Sequence, residues 1–376
     1  MTAAPWREAI VDLGAIRSNV QRLRELIGTE HTMAVVKANG YGHGAVPVAR
    51  AALSGGADLL GVADVREGIQ LREAGIRAPI LAWLHDPDLD FAPAIAHEIA
   101  IGVSSLHQLE AVADAAGRAG RVASVHVKLD TGLSRNGVPR DDWAHVLRAA
   151  HSAQADGTLT VDGVFSHVSG ASPADDLAAR DAFDVGLALA ADAGVDPRYV
   201  HLASTAPALA LAQTRYNTVR LGIGIYGLSP LADRSGADLG LRPAMTVRSR
   251  IAAVRRVPAG SGVSYEYTYR TAAETTLALV PLGYADGVPR QASSRGQVAI
   301  GGWRFPVAGR IAMDQFVVDV GDHDVAVGDE VVLFGDPARG MPTATDWARA
   351  ADTIDYEIVT RIGGRIERSY LTGDEQ

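Results

Sequence analysis

The chain has 376 residues, of which 47% are hydrophobic and 21% charged, and its formal net charge is −9. The absence of cysteine excludes disulfides, thiolate metal ligands and cysteine nucleophiles, and the interspersed charge argues against a nucleic-acid-binding protein. The N-terminal stretch "MTAAPWREAI" lacks the pattern of a signal peptide, and no uncharged apolar run reaches the roughly 18 residues of a membrane span. We therefore expect a cytoplasmic protein.

Short apolar runs alternate with alanine-rich amphipathic stretches over residues 1–230. Predicted helices lie between the runs, as at residues 65–74, 106–119, 141–150 and 174–193. Strands that are apolar throughout and separated by helices indicate a parallel sheet covered on both faces. An open doubly wound sheet is the alternative to a (β/α)8 barrel, because periodicity alone does not distinguish them. The predicted strands are residues 32–36, 59–63, 79–83, 99–103, 124–129, 161–166, 199–203 and 218–223.

The composition changes after Leu239. From Met245 onward the chain shows short β-branched runs bounded by glycine, which is typical of antiparallel strands in a small all-β domain. We therefore predict two domains: an α/β barrel over residues 10–238, and a C-terminal β domain over residues 239–376 that includes residues 1–9. A last helical segment is predicted around residues 344–362.

Polar side chains fall at the carboxyl ends of the predicted barrel strands, which line the mouth where barrel enzymes carry their chemistry. Taken singly, His167 fits a buried core histidine, and Lys128 with Asp130 fits a structural ion pair. A ring of cations without paired carboxylates indicates an anionic ligand, and a desolvated lysine can form a Schiff base. The residues at this mouth are Lys37, Lys128, Asp130, Arg135, His167, His201, Ser204, Thr205 and Arg220.

Two glycine- and hydroxyl-rich segments, "HLASTA" and "RLGIGIYG", follow the last two predicted strands. Small residues with free backbone N–H groups suit phosphate binding at loop and helix starts. The glycine spacing from Gly222 to Gly227 differs from the dinucleotide-binding fingerprint, so it is weak evidence when taken alone.

Nine motifs follow one another in order between Ala9 and Arg365: "AVVKANGYGHG", "VKLDTGLSRNG", "VFSHVSG", "HLASTA", "VRLGIGIYGLSP", "GSGVSYEYTY", "VPLGYADGVPR", "GRIAMDQFVVDV" and "TIDYEIVTRIGGRI". Together they resemble the motifs of the alanine racemases, two-domain enzymes that use pyridoxal 5′-phosphate (PLP). The resemblance implies an N-terminal barrel, a C-terminal β domain and the interconversion of L- and D-alanine.

The resemblance also implies roles for residues of the barrel mouth. Lys37 would hold PLP as a Schiff base, and the glycines that follow it, at positions 40, 42 and 44, would let the backbone pass close to the cofactor. His167 would pack against the cofactor ring, and Arg220 would face the ring nitrogen. Lys128 matches a lysine that is often carbamylated in this family, and as a carbamate it would orient Arg135 near the cofactor and substrate. The implied phosphate-end residues are Tyr41, Ser204, Thr205, Gly222, Ile223 and Tyr356.

Residues of the second domain complete the implied site. Tyr265 matches the second catalytic base, which acts on the L face while Lys37 acts on the D face. Met313 resembles the residue whose backbone N–H meets the substrate carboxylate, and Tyr284 resembles a residue at the substrate entry. In this family these groups serve the partner subunit, so the resemblance implies a homodimer with shared active sites, a small amino-acid substrate and no metal.

Three positions depart from the family pattern. Ser204–Thr205 replaces Asn–Ser, Ala312 replaces a cysteine, and Glu266 follows the catalytic tyrosine where glycine is usual. Because Glu266 adds a side chain beside Tyr265, a racemase of broader specificity that accepts serine is one alternative. The others are a decarboxylase-like relative, which the arginine at Arg220 and the lack of cysteine argue against, and a PLP-binding protein without racemase activity.

Overall fold

Eight parallel strands close into a barrel. The structure is a computed structural model that describes residues 5–372, and its first strand, β1 (Arg7–Asp12), lies outside the barrel. Neighbouring strands pair in chain order, the last pairs with the first, and a bridge between Ser204 and Arg220 completes the closure. The predicted (β/α)8 barrel is confirmed, and the open doubly wound sheet is wrong. The barrel strands are β2 (His31–Val35), β3 (Leu59–Val62), β4 (Ile80–Ala82), β5 (Ala100–Val103), β6 (Ala123–Lys128), β7 (Leu159–Phe165), β8 (Tyr199–His201) and β9 (Thr218–Leu221).

Helices connect the strands and cover the outside of the barrel. Several begin at an aspartate or serine whose side chain accepts a backbone N–H of the first turn, namely Asp12, Asp64, Ser105 and Ser172. Because such a cap satisfies amides that have no partner within the helix, these residues fix where each helix starts. The helical elements are α1 (Leu13–Ile27), α2 (Lys37–Tyr41), α3 (Ala45–Ser54), α4 (Val65–Glu73), α5 (Ala92–Ala96), α6 (Leu106–Ala119), α7 (Trp143–Ala155), α8 (Pro173–Asp192) and α9 (Thr205–Ala210).

The second domain consists of mainly antiparallel sheets and two short helices. Its largest sheet has the order β16-β15-β18-β10-β1-β19, a second has the order β11-β14-β17, and β12 pairs with β13. The elements are β10 (Met245–Arg250), β11 (Ala253–Val257), β12 (Gly262–Val263), β13 (Tyr269–Arg270), β14 (Thr275–Val280), β15 (Gln297–Ile300), β16 (Trp303–Pro306), β17 (Phe316–Gly321), β18 (Glu330–Phe334), α10 (Ala344–Ala350), α11 (Asp355–Arg361) and β19 (Glu367–Leu371).

Strand β1 joins the N-terminus to this large sheet. It runs antiparallel to β10 and parallel to β19. The buried carboxylate of Glu8 is 2.7 Å from the Arg248 guanidinium on β10 and accepts the Ser369 hydroxyl of β19 at 2.6 Å. A buried charge needs such partners on both sides, so Glu8 specifies the middle position of β1 between the two strands.

The last helical segment is two helices, where the sequence predicted one. The φ of Asp352 is 53°, a left-handed conformation that separates α10 from α11. Trp347 of α10 is buried and donates its indole N–H to the Leu333 carbonyl of β18 at 2.6 Å. The break lets α10 pack on the sheet while α11 turns toward the barrel and carries Tyr356 to its mouth.

The turn that follows Lys37 packs directly on the second domain. Gly42 has a φ of 81°, and a Cβ there would overlap the Val359 carbonyl of α11. Arg368 of β19 donates its Nε–H to the Gly42 carbonyl at 2.6 Å. The sequence analysis attributes the glycines near Lys37 to a close cofactor, but at Gly42 and Gly44 the backbone approaches α11 and the Tyr370 side chain of β19.

Substitution Gly42→Ala is expected to loosen the contact between the domains. The left-handed backbone and the overlap with Val359 together predict a loss of roughly 2–4 kcal/mol in the free energy of unfolding. A fall in the thermal unfolding midpoint measures this loss of stability. Gly117→Ala is the matched control: this glycine lies in α6 with open space around its Cβ position, so the midpoint should stay or rise. Equal midpoints for Gly42→Ala and the parent protein would contradict the role of this contact.

Candidate active site

One cavity at the barrel mouth brings together most of the predicted site residues. Its volume is about 160 Å³. Val35 and Trp83 line it too, and the sequence analysis did not propose them. The predicted residues that line it are Lys37, Tyr41, His167, Ser204, Thr205, Arg220, Gly222, Ile223 and Tyr356.

Lys37 stands where the chain leaves β2 and enters the one-turn element α2. The chain there turns in the left-handed sense, which costs about 1–2 kcal/mol for each residue other than glycine. This conformation stores strain beside the cavity, and the surroundings must offset it. The φ values are 53° at Ala38, 54° at Asn39, 62° at Gly40 and 51° at Tyr41.

Two side chains hold this left-handed turn. The Glu67 carboxylate accepts the backbone N–H of Ala38 at 2.6 Å and that of Ala63 at 2.8 Å, so it ties the turn to the end of β3. The Asn39 side chain accepts the N–H of Ala45 at 3.0 Å, where α3 begins. The sequence analysis missed Glu67, since nothing in the first turn of α4 distinguishes it from a solvated residue.

The surroundings of Lys37 favour a neutral amine. Burial lowers the pKa of Lys37, the positive charge of Arg135 lowers it further, and Glu67 opposes this shift. The Lys37 ammonium nitrogen lies 5.9 Å from the centroid of the Trp83 ring, which forms an apolar wall. A lysine with a lowered pKa is a better nucleophile and a better proton acceptor at neutral pH.

The opposite end of the cavity is built from helix starts and a glycine. Ser204 is the N-cap of α9, and a 3-10 helix, Ile223–Tyr226, begins after Gly222. The Gly222 N–H donates to the Thr205 hydroxyl at 3.0 Å, so the sheet end and α9 are linked. A Cβ on Gly222 would lie 2.5 Å from the Tyr41 hydroxyl oxygen, so only glycine leaves room for that hydroxyl.

Three tyrosines form the wall behind this end. The rings of Tyr41 and Tyr226 are 4.7 Å apart between centroids, and those of Tyr41 and Tyr356 are 6.0 Å apart. Burial raises the pKa of Tyr41, and burial followed by the charge of Asp355 raises the pKa of Tyr356 to about 12. Both hydroxyls therefore stay protonated and serve as hydrogen-bond donors.

Arg220 of β9 is a buried cation whose two Nη groups are hydrogen-bonded within the barrel. Its Nη1 bonds to the His201 carbonyl at 3.0 Å and to His201 Nδ1 at 2.9 Å. Its Nη2 bonds to the carbonyls of Ser166 at 2.8 Å and Leu202 at 2.9 Å, and to His167 Nδ1 at 2.9 Å. Because a guanidinium only donates, both histidines accept through Nδ1 and carry their proton on Nε2.

The charges of this cluster keep the histidine neutral. Burial and then Arg220 lower the pKa of His167 to about 3. Burial and then Arg135 lower the pKa of Arg220 to about 9, so the guanidinium remains a cation at neutral pH. The cavity thus places a permanent cation beside a neutral imidazole.

The sequence analysis missed His126, which lies behind the cavity against His201. His201 Nε2 lies 2.9 Å from His126 Nδ1. Since His201 holds its proton on Nε2, it donates to His126, and the arginine sets the tautomer of both rings. Gly163 of the neighbouring strand makes room for the His126 ring. The available signal was strand alternation, since His126 lies two residues before Lys128 on the same strand face.

Lys128 ends β6 and donates to the side-chain oxygen of Asn136. The Asp130 carboxylate, the partner in the alternative interpretation, accepts instead the backbone N–H groups of Gly132 and Ser134, both at 3.1 Å. Burial, followed by the charges of Arg220 and Arg135, lowers the pKa of Lys128 to about 8. Arg135 itself is exposed in the loop after β6, and it acts on the cavity through its charge.

The three predicted site residues of the second domain lie on one exposed edge. The Ala285 N–H donates to the Met313 carbonyl at 3.0 Å, and the Ser264 hydroxyl donates to the Arg310 carbonyl at 2.7 Å. These contacts join the loops that carry the three side chains. Within one chain, they are not part of the cavity that contains Lys37. The exposed fractions are 68% for Tyr265, 43% for Tyr284 and 53% for Met313.

Fold and site together define a class of protein: a two-domain (β/α)8-barrel enzyme that presents a lysine of low basicity in a mouth rich in cations. Residues 11–230 match the family described as alanine racemase, N-terminal domain, and residues 244–370 match alanine racemase, C-terminal domain. The chain belongs to the alanine racemase family, and the resemblance seen in the motifs is confirmed.

Curated proteins and a solved structure of the same family match this chain over nearly its whole length. The alanine racemase of Salinispora arenicola is 52% identical over 370 residues, covering 97% of this chain and 98% of that protein. The alanine racemase of Mycolicibacterium smegmatis is 50% identical over 375 residues, covering 98% of this chain and 96% of that protein. The crystal structure of alanine racemase from D-cycloserine-producing Streptomyces lavendulae has a TM-score of 0.96 and 50% identity, covering 99% of each chain.

In the part of the chain from residue 5 to residue 372, no helix has both the length and the apolar character needed to cross a bilayer.

Buried neutral histidines predict a protein that loses stability in acid. Burial lowers the pKa of His43 to about 4 and of His126 and His167 to about 3, and it lowers the pKa of His201 well below 6.5. Between these values and 6.5 the unfolded chain binds protons that the folded chain does not, so stability falls as the pH decreases below about 6.5.

The unfolding midpoint measured from pH 7.5 down to pH 4.5 tests this expectation. His43→Gln should flatten the decline, because the unfolded state then binds one proton fewer. His145, which is exposed on α7, is the control, and His145→Gln should leave the decline unchanged. A midpoint independent of pH over this range would contradict the neutral, buried state of these histidines.

Proposed function

We propose that the protein interconverts L- and D-alanine with PLP as cofactor, using Lys37 and Tyr265 as two bases. The observation that carries the proposal is Lys37 opening, with a lowered pKa, into the same cavity as the buried cation Arg220. The relatives named above all carry the name alanine racemase. The domain limits at residues 10–238 and 239–376 stay predictions.

The donor set of the cavity fits PLP, an anionic pyridine aldehyde. Lys37 is the amine that would hold it covalently. Arg220 would face the ring nitrogen, and the His167 imidazole would lie against the ring. Gly222 leaves room for the Tyr41 hydroxyl, because a Cβ there would lie 2.5 Å from its oxygen. The hydroxyls and helix starts at this end of the cavity suit a phosphate; they belong to Tyr41, Ser204, Thr205, Ile223 and Tyr356.

When bound, PLP supplies the electron sink that makes the α-proton of an amino acid removable. Inversion needs proton transfer at both faces of the α-carbon, and one side chain does not reach both. Lys37 Nζ, whose pKa is lowered by burial, would take or return the proton at the D face. The Tyr265 hydroxyl would act at the L face.

Arg220 would limit how strongly the cofactor withdraws electrons. A guanidinium with a pKa of about 9 is charged at neutral pH and accepts no proton. It would therefore leave the ring nitrogen of bound PLP unprotonated, whereas a carboxylate would keep a proton there. A weaker sink suits the return of a proton to the same carbon, as racemisation requires, better than transfer to the cofactor.

Arg135 and Met313 would bind the substrate carboxylate, one by its charge and the other by its backbone N–H. Lys128 is suited to carbamylation, because a pKa of about 8 leaves part of its amine neutral. A carbamate at this position would place a negative charge beside Arg135 and Arg220, both of which act on Lys128.

The exposed edge that carries Tyr265, Tyr284 and Met313 supports a homodimer. Large aromatic and thioether side chains exposed to this degree are typical of interfaces. We propose that this edge of one subunit closes the barrel mouth of its partner. Tyr265 would then face the partner's cavity, and Tyr284 would lie at its entrance.

Incubation of the PLP-loaded protein with L-alanine in D2O tests the activity. Loss of the circular dichroism of L-alanine, with deuterium at the α-carbon, is the expected result. Lys37→Ala should lose the visible absorbance of the bound cofactor and lower the rate by about a thousandfold or more, because it removes a base and the covalent attachment. An unchanged signal from loaded protein would contradict alanine racemisation, and L-serine in parallel measures breadth of specificity.

The variant Tyr265→Ala distinguishes the contribution of Tyr265 to proton transfer from that of Lys37. This variant should keep the bound cofactor, lose racemisation by about 10²–10⁴-fold, and still exchange the α-proton of D-alanine, because Lys37 remains. NMR of D-alanine in D2O follows exchange, and polarimetry follows inversion. Racemisation of L-alanine at the parent rate would show that the two-base assignment is wrong.

A further inference from the structure

The backbone on both sides of Tyr265 is strained. The φ is 60° at Ser264, 62° at Glu266 and 47° at Tyr267, a region that residues with a Cβ rarely occupy. Such conformations persist only where surrounding contacts hold them. The orientation of Tyr265 therefore depends on what restrains its neighbours.

Arg310 restrains the turn at both ends. Its backbone carbonyl accepts the Ser264 hydroxyl at 2.7 Å. Its guanidinium donates from Nε to Glu266 Oε2 at 3.0 Å, and Nη2 lies 2.8 Å from the same oxygen. The residue before it, Gly309, lies so close that a Cβ there would be 2.6 Å from the Val263 carbonyl oxygen.

The left-handed backbone at Tyr267 is held by other contacts. Its ring packs on Gly262, where a Cβ would lie 2.5 Å from the ring, and the Arg270 guanidinium lies 5.3 Å from the ring centroid. At Glu266 the restraint is the ion pair with Arg310, between side chains that are 59% and 35% exposed. Within one chain, Glu266 is therefore the strained position whose restraint is electrostatic.

We propose that the Glu266–Arg310 ion pair positions Tyr265 for proton transfer by holding the left-handed backbone at Glu266. The inference rests on the proposed function, in which Tyr265 is the base at the L face. Glu266 and Arg310 are positioning residues in this role: they act on the tyrosine through the backbone of its turn.

Two substitutions at one position separate the ion pair from the backbone strain. Glu266→Ala and Glu266→Gly both remove the carboxylate, but only glycine accepts a φ of 62° without cost. We expect kcat for racemisation to fall by about two- to fivefold in Glu266→Ala, the range that an exposed ion pair supports, and to stay near the parent value in Glu266→Gly. Exchange of the α-proton of D-alanine in D2O should be unchanged in both.

Further variants test Arg310, which forms the ion pair with Glu266. Arg310→Met should lower kcat as Glu266→Ala does, and the double variant should show no additional loss, because both changes break one interaction. Glu274→Ala, which breaks an exposed ion pair with Arg256 elsewhere in this domain, is the control and should leave kcat unchanged.

Equal losses in Glu266→Ala and Glu266→Gly would overturn the inference, since the backbone would then not matter. A fall in D-alanine exchange parallel to the fall in racemisation would also overturn it, because Lys37 chemistry does not depend on this turn. Failure of the proposed function itself is seen separately, as a parent protein that loads PLP and does not racemise alanine.

Discussion

The buried guanidinium of Arg220 organises the barrel mouth. A cation removed from water is costly unless its donors are satisfied, and here backbone carbonyls from the ends of β7 and β8 and two imidazoles accept from it. Those acceptors belong to segments far apart in the chain, so the arginine ties them into one rigid wall. It also sets the tautomers of His167, His201 and His126 without any carboxylate.

The same mouth concentrates positive charge. Lys37, Lys128, Arg135 and Arg220 act on one another, and in each lysine burial and neighbouring cations together lower the pKa. An anionic ligand relieves this repulsion, which is the electrostatic reason that the cavity suits a phosphate-bearing cofactor. The lowered pKa of Lys37 follows from the arrangement that attracts the ligand, so one set of charges serves both binding and reactivity.

Backbone strain is stored on the two sides of the proposed chemistry. The turn after Lys37 is left-handed and held by Glu67 and Asn39, and the turn around Tyr265 is held through Arg310. In each case contacts from other elements offset the strain, which suits side chains that must keep one orientation. The glycines of the first turn also fit the second domain, so the position of Lys37 depends on how the two domains pack.

The sequence by itself predicted the barrel strands, the mainly β second domain and five residues of the cavity, because parallel strands are apolar throughout and their polar ends converge on one mouth. Together with the family resemblance, it also predicted the closed barrel and the cavity residues Tyr41, Gly222, Ile223 and Tyr356. It did not identify His126 or Trp83, whose roles depend on rings that meet across several strands. It assigned Gly42 and Gly44 to the cofactor, whereas α11 and β19 are what leave no room for a side chain there. Only the tertiary structure decided these points, since hydrogen-bond partners, pKa values and close backbone contacts arise between segments that are far apart in the chain.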